Sequence, residues 1–372
     1  MTDIDLTGVR KVLTDIGLTG VRKGLIAGCA ALATLAVLFF IDHGPGPLSH
    51  GGDVTSVAVG ELDGRPIAVS AGRDRTVRVW DLTTRKQIGN LVVEEEPGEP
   101  PSGPDHVTTV AVGELDGQPV AVSGGVDAAV RIWDLRTRKQ IGAKLTGHEH
   151  VVASVAIAEL DGRPVVISSS GDGTIRFWDP STGKRAGAPL VSEGGTITSF
   201  VLTEYDGDPA LVSAHHDGAI RLWDLTTRKQ IGKMTGHHMA LSVALGELDG
   251  RTVVVSSGLN GTIRLWDLSA REQIGDPIPA HDRAGGPLAV ARANGRQIIV
   301  SGGFDRTMRL WDLPTRRPIG DPLPSHRSST YAIAITRLDG APVAISGGQD
   351  RTIRLWDLTA REQIGDPLIG WD

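Results

Sequence analysis

The chain has 372 residues, enough for a large core, and its 48 glycines, frequent Val and Ile and only 4% aromatics point to a β-rich class. A formal net charge of −6 and a pI near 6.0 argue against nucleic-acid binding, which usually needs a concentrated basic face. A single cysteine, Cys29, excludes an internal disulfide framework.

Residues 1–23 contain a short duplication, Asp3–Lys11 echoed by Asp15–Lys23, too brief for a domain and read as a cytoplasmic tail. From Gly24 to Ile41 there are 18 residues without a charge. At about 1.5 Å per residue a helix of that length covers about 27 Å, close to the hydrocarbon thickness of a bilayer. Arg10, Lys11, Arg22 and Lys23 precede the run and no Lys or Arg follows until Arg65. The expectation is a membrane-spanning helix over 24–41 with the N-terminus in the cytoplasm and the rest outside. Competing readings are a cleaved signal peptide and a buried soluble helix. Phe39, Phe40, Ile41 and Asp42 fill the place of a small-x-small cleavage site. Eighteen residues is the lower edge of a span, so a wholly cytoplasmic chain whose 24–41 segment packs on a partner stays open. Ile26-Ala27-Gly28-Cys29 matches a lipobox, but most of the apolar run follows Cys29 where a lipoprotein signal would place it before. Residues 42–47 read as a linker.

From 48 to 370 the chain is one repeated unit. Trp-Asp pairs at Trp80, Trp133, Trp178, Trp223, Trp266, Trp311 and Trp356 are spaced 53, 45, 45, 43, 45 and 45 residues apart. Self-similarity at that period marks propeller blades. In one unit, Val151–Leu160 alternates up to the hairpin signal Asp161-Gly162, and Arg163–Ser168 follows as a second strand. Gly171-Asp172-Gly173 turns into a third strand over Thr174–Asp179, and Ser181-Thr182-Gly183 into a fourth, edge-like one. Such small sheets must cover each other's faces, which accounts for runs such as Val253–Val255 and Ile298–Val300. The insertion 93–105, VEEEPGEPPSGPD, accounts for the long first spacing and reads as solvated. An eighth pair, Trp371-Asp372, lacks the preceding strand and serine, so the count is seven blades. Gln363–Gly370 supplies an outer strand for the last blade, whereas Gly46-Pro47-Leu48 is a poor candidate for a strand exchanged to close the ring.

These pairs, with Gly147-His148 and Gly236-His237, resemble the WD-repeat family over about residues 46–370, and the membrane segment resembles its bacterial members. The resemblance implies an all-β, seven-bladed propeller. It also implies a His, Ser, Asp, Trp hydrogen-bonded tetrad inside each blade. The matching residues are His50, Ser70, Asp74 and Trp80 in blade 1, His148, Ser168, Asp172 and Trp178 in blade 3, and His326, Ser346, Asp350 and Trp356 in blade 7. Gly103 in blade 2 and Glu193 in blade 4 replace the histidine, and Asn260 replaces the aspartate in blade 5, so these networks read as incomplete and less rigid.

A serine, a histidine and an aspartate recurring in most blades do not make a catalytic triad, which is unique and opens on a pocket. No catalytic residue, metal site or cofactor is expected. An arginine two residues before every Trp, Arg78 to Arg354, reads as an inter-blade salt bridge or a stem lying along apolar surface. His150, His216 and His238 fall in successive blades on one face and leave a small-molecule or metal-binding propeller, working through that face or the central channel, as the alternative function. The column before each turn Asp or Asn varies while its neighbours scarcely do: Arg73, Val126, Gly171, His216, Leu259, Phe304 and Gln349. The family's topology puts this turn on the top face. With Met239 and Tyr331 of the adjoining loops, these residues are the expected contacts for protein partners, apolar at exposed tips. The resulting expectation is a non-catalytic scaffold or ligand-sensing domain on a membrane anchor, binding proteins and no nucleic acid.

Overall fold

A computed structural model of the chain describes residues 52–92 and 106–369. Every regular element there is a strand, and no helix among the described residues is long and apolar enough to cross a membrane. The tail 1–23, the expected span 24–41, the linker 42–47, His50, Gly46-Pro47-Leu48, the insertion 93–105 and Trp371 lie outside the described residues.

The strands form seven antiparallel sheets, each built from one continuous stretch of chain. We call the strands of each blade a to d in chain order. In blade 3 strand a is Val152–Leu160, b is Arg163–Ser170 and c is Thr174–Asp179. Both residues of the a–b hairpin are left-handed, with φ of 52° at Asp161 and 71° at Gly162, as the twist of a two-residue hairpin requires. Strand d runs continuously in blades 1, 2 and 4, as Lys86–Val92, Gln140–Leu145 and Lys229–Thr235. In blades 3, 5, 6 and 7 it is broken into short pieces around Pro189, Pro277, Pro322 and Pro367. Proline has no N–H to give to the ladder, so these rim strands cannot continue and cannot template pairing with another chain.

Strand a slips register by one residue at its start in every blade. The bulged side chain turns toward the neighbouring blade. Thr55 Oγ1 donates to Val107 O (2.7 Å) and Thr198 Oγ1 to Ala240 O (3.0 Å), joining inner strands that share no ladder.

The core is divided into seven apolar clusters, one at each blade–blade interface, and each contains the tryptophan of the following blade. Trp133 of blade 2, for example, packs against Ile67, Val69, Val77 and Leu91 of blade 1. The ring closes in the same way. Trp80 and Val54 of blade 1 pack on Val343, Ile345 and Leu355 of blade 7, with no strand exchanged among the described residues.

At the opposite end from the b–c turns, a second cation bridges the blades. Arg85, Arg138, Arg228, Arg271, Arg316 and Arg361 all occupy the c–d turn with φ between 55° and 62°. A left-handed backbone costs a residue with a Cβ roughly 1–2 kcal/mol. The return is contact with strand d of the preceding blade. Arg228 donates to Ala186 O (3.2 Å) and Ala188 O (3.3 Å) and lies 3.6 Å from the Phe177 ring centre. Arg316 donates to Ile274 O (3.2 Å) and Arg361 to Asp321 O (2.8 Å). Arg85 reaches back across the closure to Ile364 O (3.4 Å). A Cβ on Gly275, Gly320 or Gly365 would collide with the guanidinium that lies over it. Blade 3 carries Gly183 at this turn. Replacing Arg228 with Ala is expected to lower unfolding stability by about 1–3 kcal/mol, since it removes a cation–π contact and two hydrogen bonds. Arg228→Gly, which also relieves the turn, should lose less; thermal and urea unfolding of the two variants measures both quantities.

Candidate functional site

Each blade is pinned at its b–c end by one repeated hydrogen bond. The Trp indole N–H donates to the serine hydroxyl ten residues earlier, at 2.8–3.0 Å in all seven blades. In blades 3, 6 and 7 the chain of bonds continues. The serine donates to Nε2 of His148, His281 or His326 at 2.8–2.9 Å, and Nδ1–H of that ring donates to Asp172, Asp305 or Asp350 at 2.8–3.1 Å. Burial pushes these carboxyls up, but the hydrogen bonds from histidine and from Thr174, Thr307 and Thr352 outweigh it and hold them below the usual carboxylate range. The histidine and serine are buried with every polar atom engaged, and no reacting group could approach them. The Ser, His, Asp series is structural.

The arginine before each Trp is not the inter-blade partner its spacing suggests. It closes on the turn aspartate four residues earlier in its own blade, as Arg78–Asp74 (2.8 Å), Arg131–Asp127 (2.7 Å) and Arg221–Asp217 (2.6 Å). Blade 5 lacks that partner, and Arg264 turns to Gln273 instead.

Blade 4 differs from the sequence expectation of an incomplete network. Its histidine comes from strand b. His215, fully buried, accepts from Ser213 through Nε2 (2.7 Å) and donates from Nδ1 to Ser192 (3.1 Å), while Asp217 turns to Arg221 and lies 4.0 Å from Lys233. Elsewhere that strand position is Gly or Ser. A Cβ on Gly258, Gly303 or Gly348 would collide with, or crowd, the loop histidine of its own blade. Blade 4 therefore places one imidazole in the same space from the opposite side. The change from Gly to His at position 215, in the blade whose loop histidine is missing, is the signal in the sequence that marks the exchange. Burial and the nearby Arg221 push the pKa of His215 down to about 3, so the ring is neutral. Hydrogen bonds from Arg221 hold Asp217 down at about 2.

Blade 5 meets the expectation. His237 accepts from Ser256 through Nε2 (2.8 Å), but its buried Nδ1 has no hydrogen-bond partner among the described residues, because Asn260 Oδ1 is taken by Thr262. Burial, with Arg264 alongside, pushes His237 down to about 4.

The variable column sits on the same end of the disc and is held by its backbone. The N–H of Arg73, Val126, Gly171, His216, Leu259, Phe304 and Gln349 donates in each case to the carbonyl just before strand a, at 3.0–3.2 Å. The turn fixes the main chain through this one bond and does not depend on which side chain the position carries. Arg73, His216 and Gln349 are exposed; Val126, Leu259 and Phe304 are half-buried, not the exposed apolar tips expected from sequence. Leu259 is bonded through its N–H to Met239 O, which brings those two residues together. Tyr331 lies not in a loop but inside strand a of blade 7, Thr330–Leu338, at its bulge. Its ring meets Phe304 of blade 6 edge to face, with centres 6.0 Å apart at 76°. Arg73 pairs with Asp53 (3.5 Å), and Arg73 O accepts from His106 (2.5 Å), a residue that sequence reasoning passed over. His150, His216 and His238 are exposed in separate blades. No group of three or more His, Cys, Asp or Glu stands ready to hold a metal among the described residues.

The family model described as WD domain, G-beta repeat, matches residues 47–81, 139–179, 228–267, 278–312 and 321–357, just over half of the chain. The unmatched stretches hold most of blades 2 and 4, the two without a loop histidine. Mitochondrial division protein 1 of Mycosarcoma maydis is 35% identical over 97 residues, which is 26% of this chain and 10% of that protein. Small ribosomal subunit protein RACK1z of Oryza sativa subsp. japonica is 37% identical over 105 residues, 27% of this chain and 29% of the relative. RACK1y of the same plant is 33% identical over 97 residues, 24% of this chain and 27% of that protein. The chain thus spans less than a third of the length of the relatives it matches.

Two substitutions test these networks. Asn260→Asp offers a carboxylate to both His237 Nδ1–H and Arg264, and is expected to raise stability by about 1–2 kcal/mol at neutral pH; an unfolding midpoint at or below that of the parent chain would refute it. His215→Asn breaks the blade 4 chain, at an expected loss of about 1–3 kcal/mol near pH 7. His215 has a folded pKa near 3 against 6.5 when free, so the unfolded state takes up the proton first. Its contribution is full above pH 6.5 and lost as pH falls toward 3. The stability gap between parent and variant should narrow when urea unfolding is repeated down to about pH 4, and a constant gap would contradict the assignment.

Proposed function

The chain belongs to the WD domain, G-beta repeat (WD40) family, and on that premise we propose that it is a non-catalytic protein-binding scaffold or ligand-sensing domain whose partners dock on the b–c turn face. One observation carries this reading. Seven equivalent turn positions are held by the same backbone hydrogen bond, and the side chains they present are Arg, Val, Gly, His, Leu, Phe and Gln. A position whose side chain the fold does not use is free to be set by a partner. Arg73, Val126, His216, Leu259, Phe304 and Gln349, with Met239 and Tyr331, are the contacts. Leu259–Met239 and Phe304–Tyr331 supply half-buried apolar anchors among polar neighbours, the pattern of an interface core within its rim.

WD40 propellers are typically scaffolds and not enzymes, and the name of RACK1z makes it a component of the small ribosomal subunit. The full engagement of every complete tetrad supports the same reading for this chain. We further propose that it is a membrane-anchored protein of bacterial type, with the span over 24–41, the N-terminus in the cytoplasm and the propeller outside. The uncharged run of 18 residues and the four cations before it support this placement.

Crosslinking pull-down with the whole chain is expected to recover protein partners that Phe304→Asp and Leu259→Asp each lose by about tenfold or more. Recovery of every partner by both variants at the parent level would overturn the docking face. For the anchor, the chain should sediment with membranes and external protease should cut it in intact cells; a soluble chain, or one digested only after lysis, overturns the placement.

A further inference from the structure

The b–c turn face is electrostatically one-sided. The residue after the turn Asp or Asn is left-handed in every blade: Arg75 (φ 67°), Ala128, Gly173, Gly218, Gly261, Arg306 (φ 69°) and Arg351 (φ 67°). In blades 4 and 5 the glycine is forced, because a Cβ on Gly218 or Gly261 would collide with the carbonyl oxygen of His237 or His281. Blades 6, 7 and 1 leave room there and put an arginine on a backbone that glycine adopts without strain. These three blades are consecutive around the ring, since blade 7 packs on blade 1 through the closing interface. Strain accepted at equivalent positions of three neighbouring blades, where glycine would serve the backbone, points to use of the side chain.

The same arc gathers further cations. Arg73 stands in the variable column of blade 1, and Arg283 and Arg327 in the d–a loops of blades 6 and 7, all exposed as Arg306 is. Against these six arginines the arc sets two carboxylates outside the tetrads among the described residues. Asp53 pairs with Arg73 and lies within electrostatic reach of Arg351, and Asp282 faces Arg309 (3.8 Å). The tetrad carboxylates Asp74, Asp305 and Asp350 are taken by Arg78, His281 and His326. On blades 3, 4 and 5 the corresponding turns and loops hold Glu149 and Glu193 and no arginine. A chain of net charge −6 thus concentrates positive charge on one arc of one face. In the middle of that arc the Phe304–Tyr331 ring pair bridges blades 6 and 7, and Tyr331 lies within electrostatic reach of Asp53 and Arg73.

We propose that this arc over blades 6, 7 and 1 is the docking site for a carboxylate-rich peptide segment of a partner protein, with an apolar side chain of that segment seated on the Phe304–Tyr331 pair. The proposal rests on the scaffold reading above and names the chemistry of the partner. Complementary charge would speed encounter and set register, and the aromatic pair would give residence time.

The test uses the full chain in non-ionic detergent and a labelled peptide of Glu and Asp around one Leu, compared with its Gln/Asn counterpart by fluorescence anisotropy. The acidic peptide should bind saturably and on the order of tenfold tighter than the neutral one, weakening as salt rises. The triple variant Arg75→Gly, Arg306→Gly, Arg351→Gly adopts the turn sequence of blades 3 to 5, so it should fold with an unchanged or raised unfolding midpoint. It should bind the acidic peptide about tenfold more weakly or worse. Equal binding of the two peptides, or equal binding by parent and triple variant, overturns the proposal. Binding of a phosphoserine version alone overturns the carboxylate assignment. Partners that the triple variant keeps but Leu259→Asp loses would sink this proposal and leave the scaffold standing; partners kept by every variant would sink the scaffold reading itself.

Discussion

The tryptophan at each blade–blade interface governs the rest of the structure. Its ring fills the apolar space of the preceding blade, and its N–H is tied to a serine of its own blade. An indole is too large to leave exposed and too polar to bury without a partner, so position and bond are both required. The serine is thereby fixed, and the serine fixes the histidine. Seven repetitions of one demand give a ring in which the last interface is chemically the same as the first six. Among the described residues the ring is closed by the same packing that joins every other pair.

Charge is divided between the two ends of the disc. At the b–c end, arginine and aspartate close within a blade, and the aspartate also holds the histidine, so these charges stiffen single turns. At the c–d end, arginines reach outward to carbonyls of the preceding blade, so these charges join blades. Sequence alone presents two arginine columns that look alike. Both columns follow an aspartate by four residues, and their roles differ because the b–c carboxylate is open to its arginine, whereas the c–d carboxylate is taken by N–H groups of its own turn.

Near-identical repeats make departures informative. Blade 4 loses its loop histidine and gains one on strand b, keeping an imidazole in the space that the serine needs filled. Blade 5 loses only a carboxylate oxygen and leaves the buried Nδ1 of His237 without a hydrogen-bond partner among the described residues. Blades 6, 7 and 1 put arginines where the turn itself is better served by glycine. The first departure preserves stability by another route. The second leaves a polar atom unsatisfied, and the third accepts left-handed backbone at residues with a Cβ.

Most of the architecture was legible in the sequence because it repeats. The period of the Trp-Asp pairs determined the blade count, the Asp-Gly pairs the a–b hairpins, and the serine and tryptophan spacing the bond between them. The tetrads of blades 3 and 7 could be read residue by residue, and so could the variable column, since sevenfold alignment separates what the turn needs from what it tolerates. Other features were decided only in three dimensions. His215 on strand b could supply the imidazole that Glu193, twenty-two positions away in the d–a loop, does not, because strand b and that loop flank the same space beside the serine. Tyr331 lies in strand a and not in the expected loop, and a bulge there carries it toward Phe304 of the preceding blade. The cationic arc joins the last two blades to the first, residues that the chain separates by nearly its whole length and the ring makes neighbours. Repetition fixes what each blade is from local spacing; which unlike residues of different blades meet depends on closing the circle, and no local spacing encodes that.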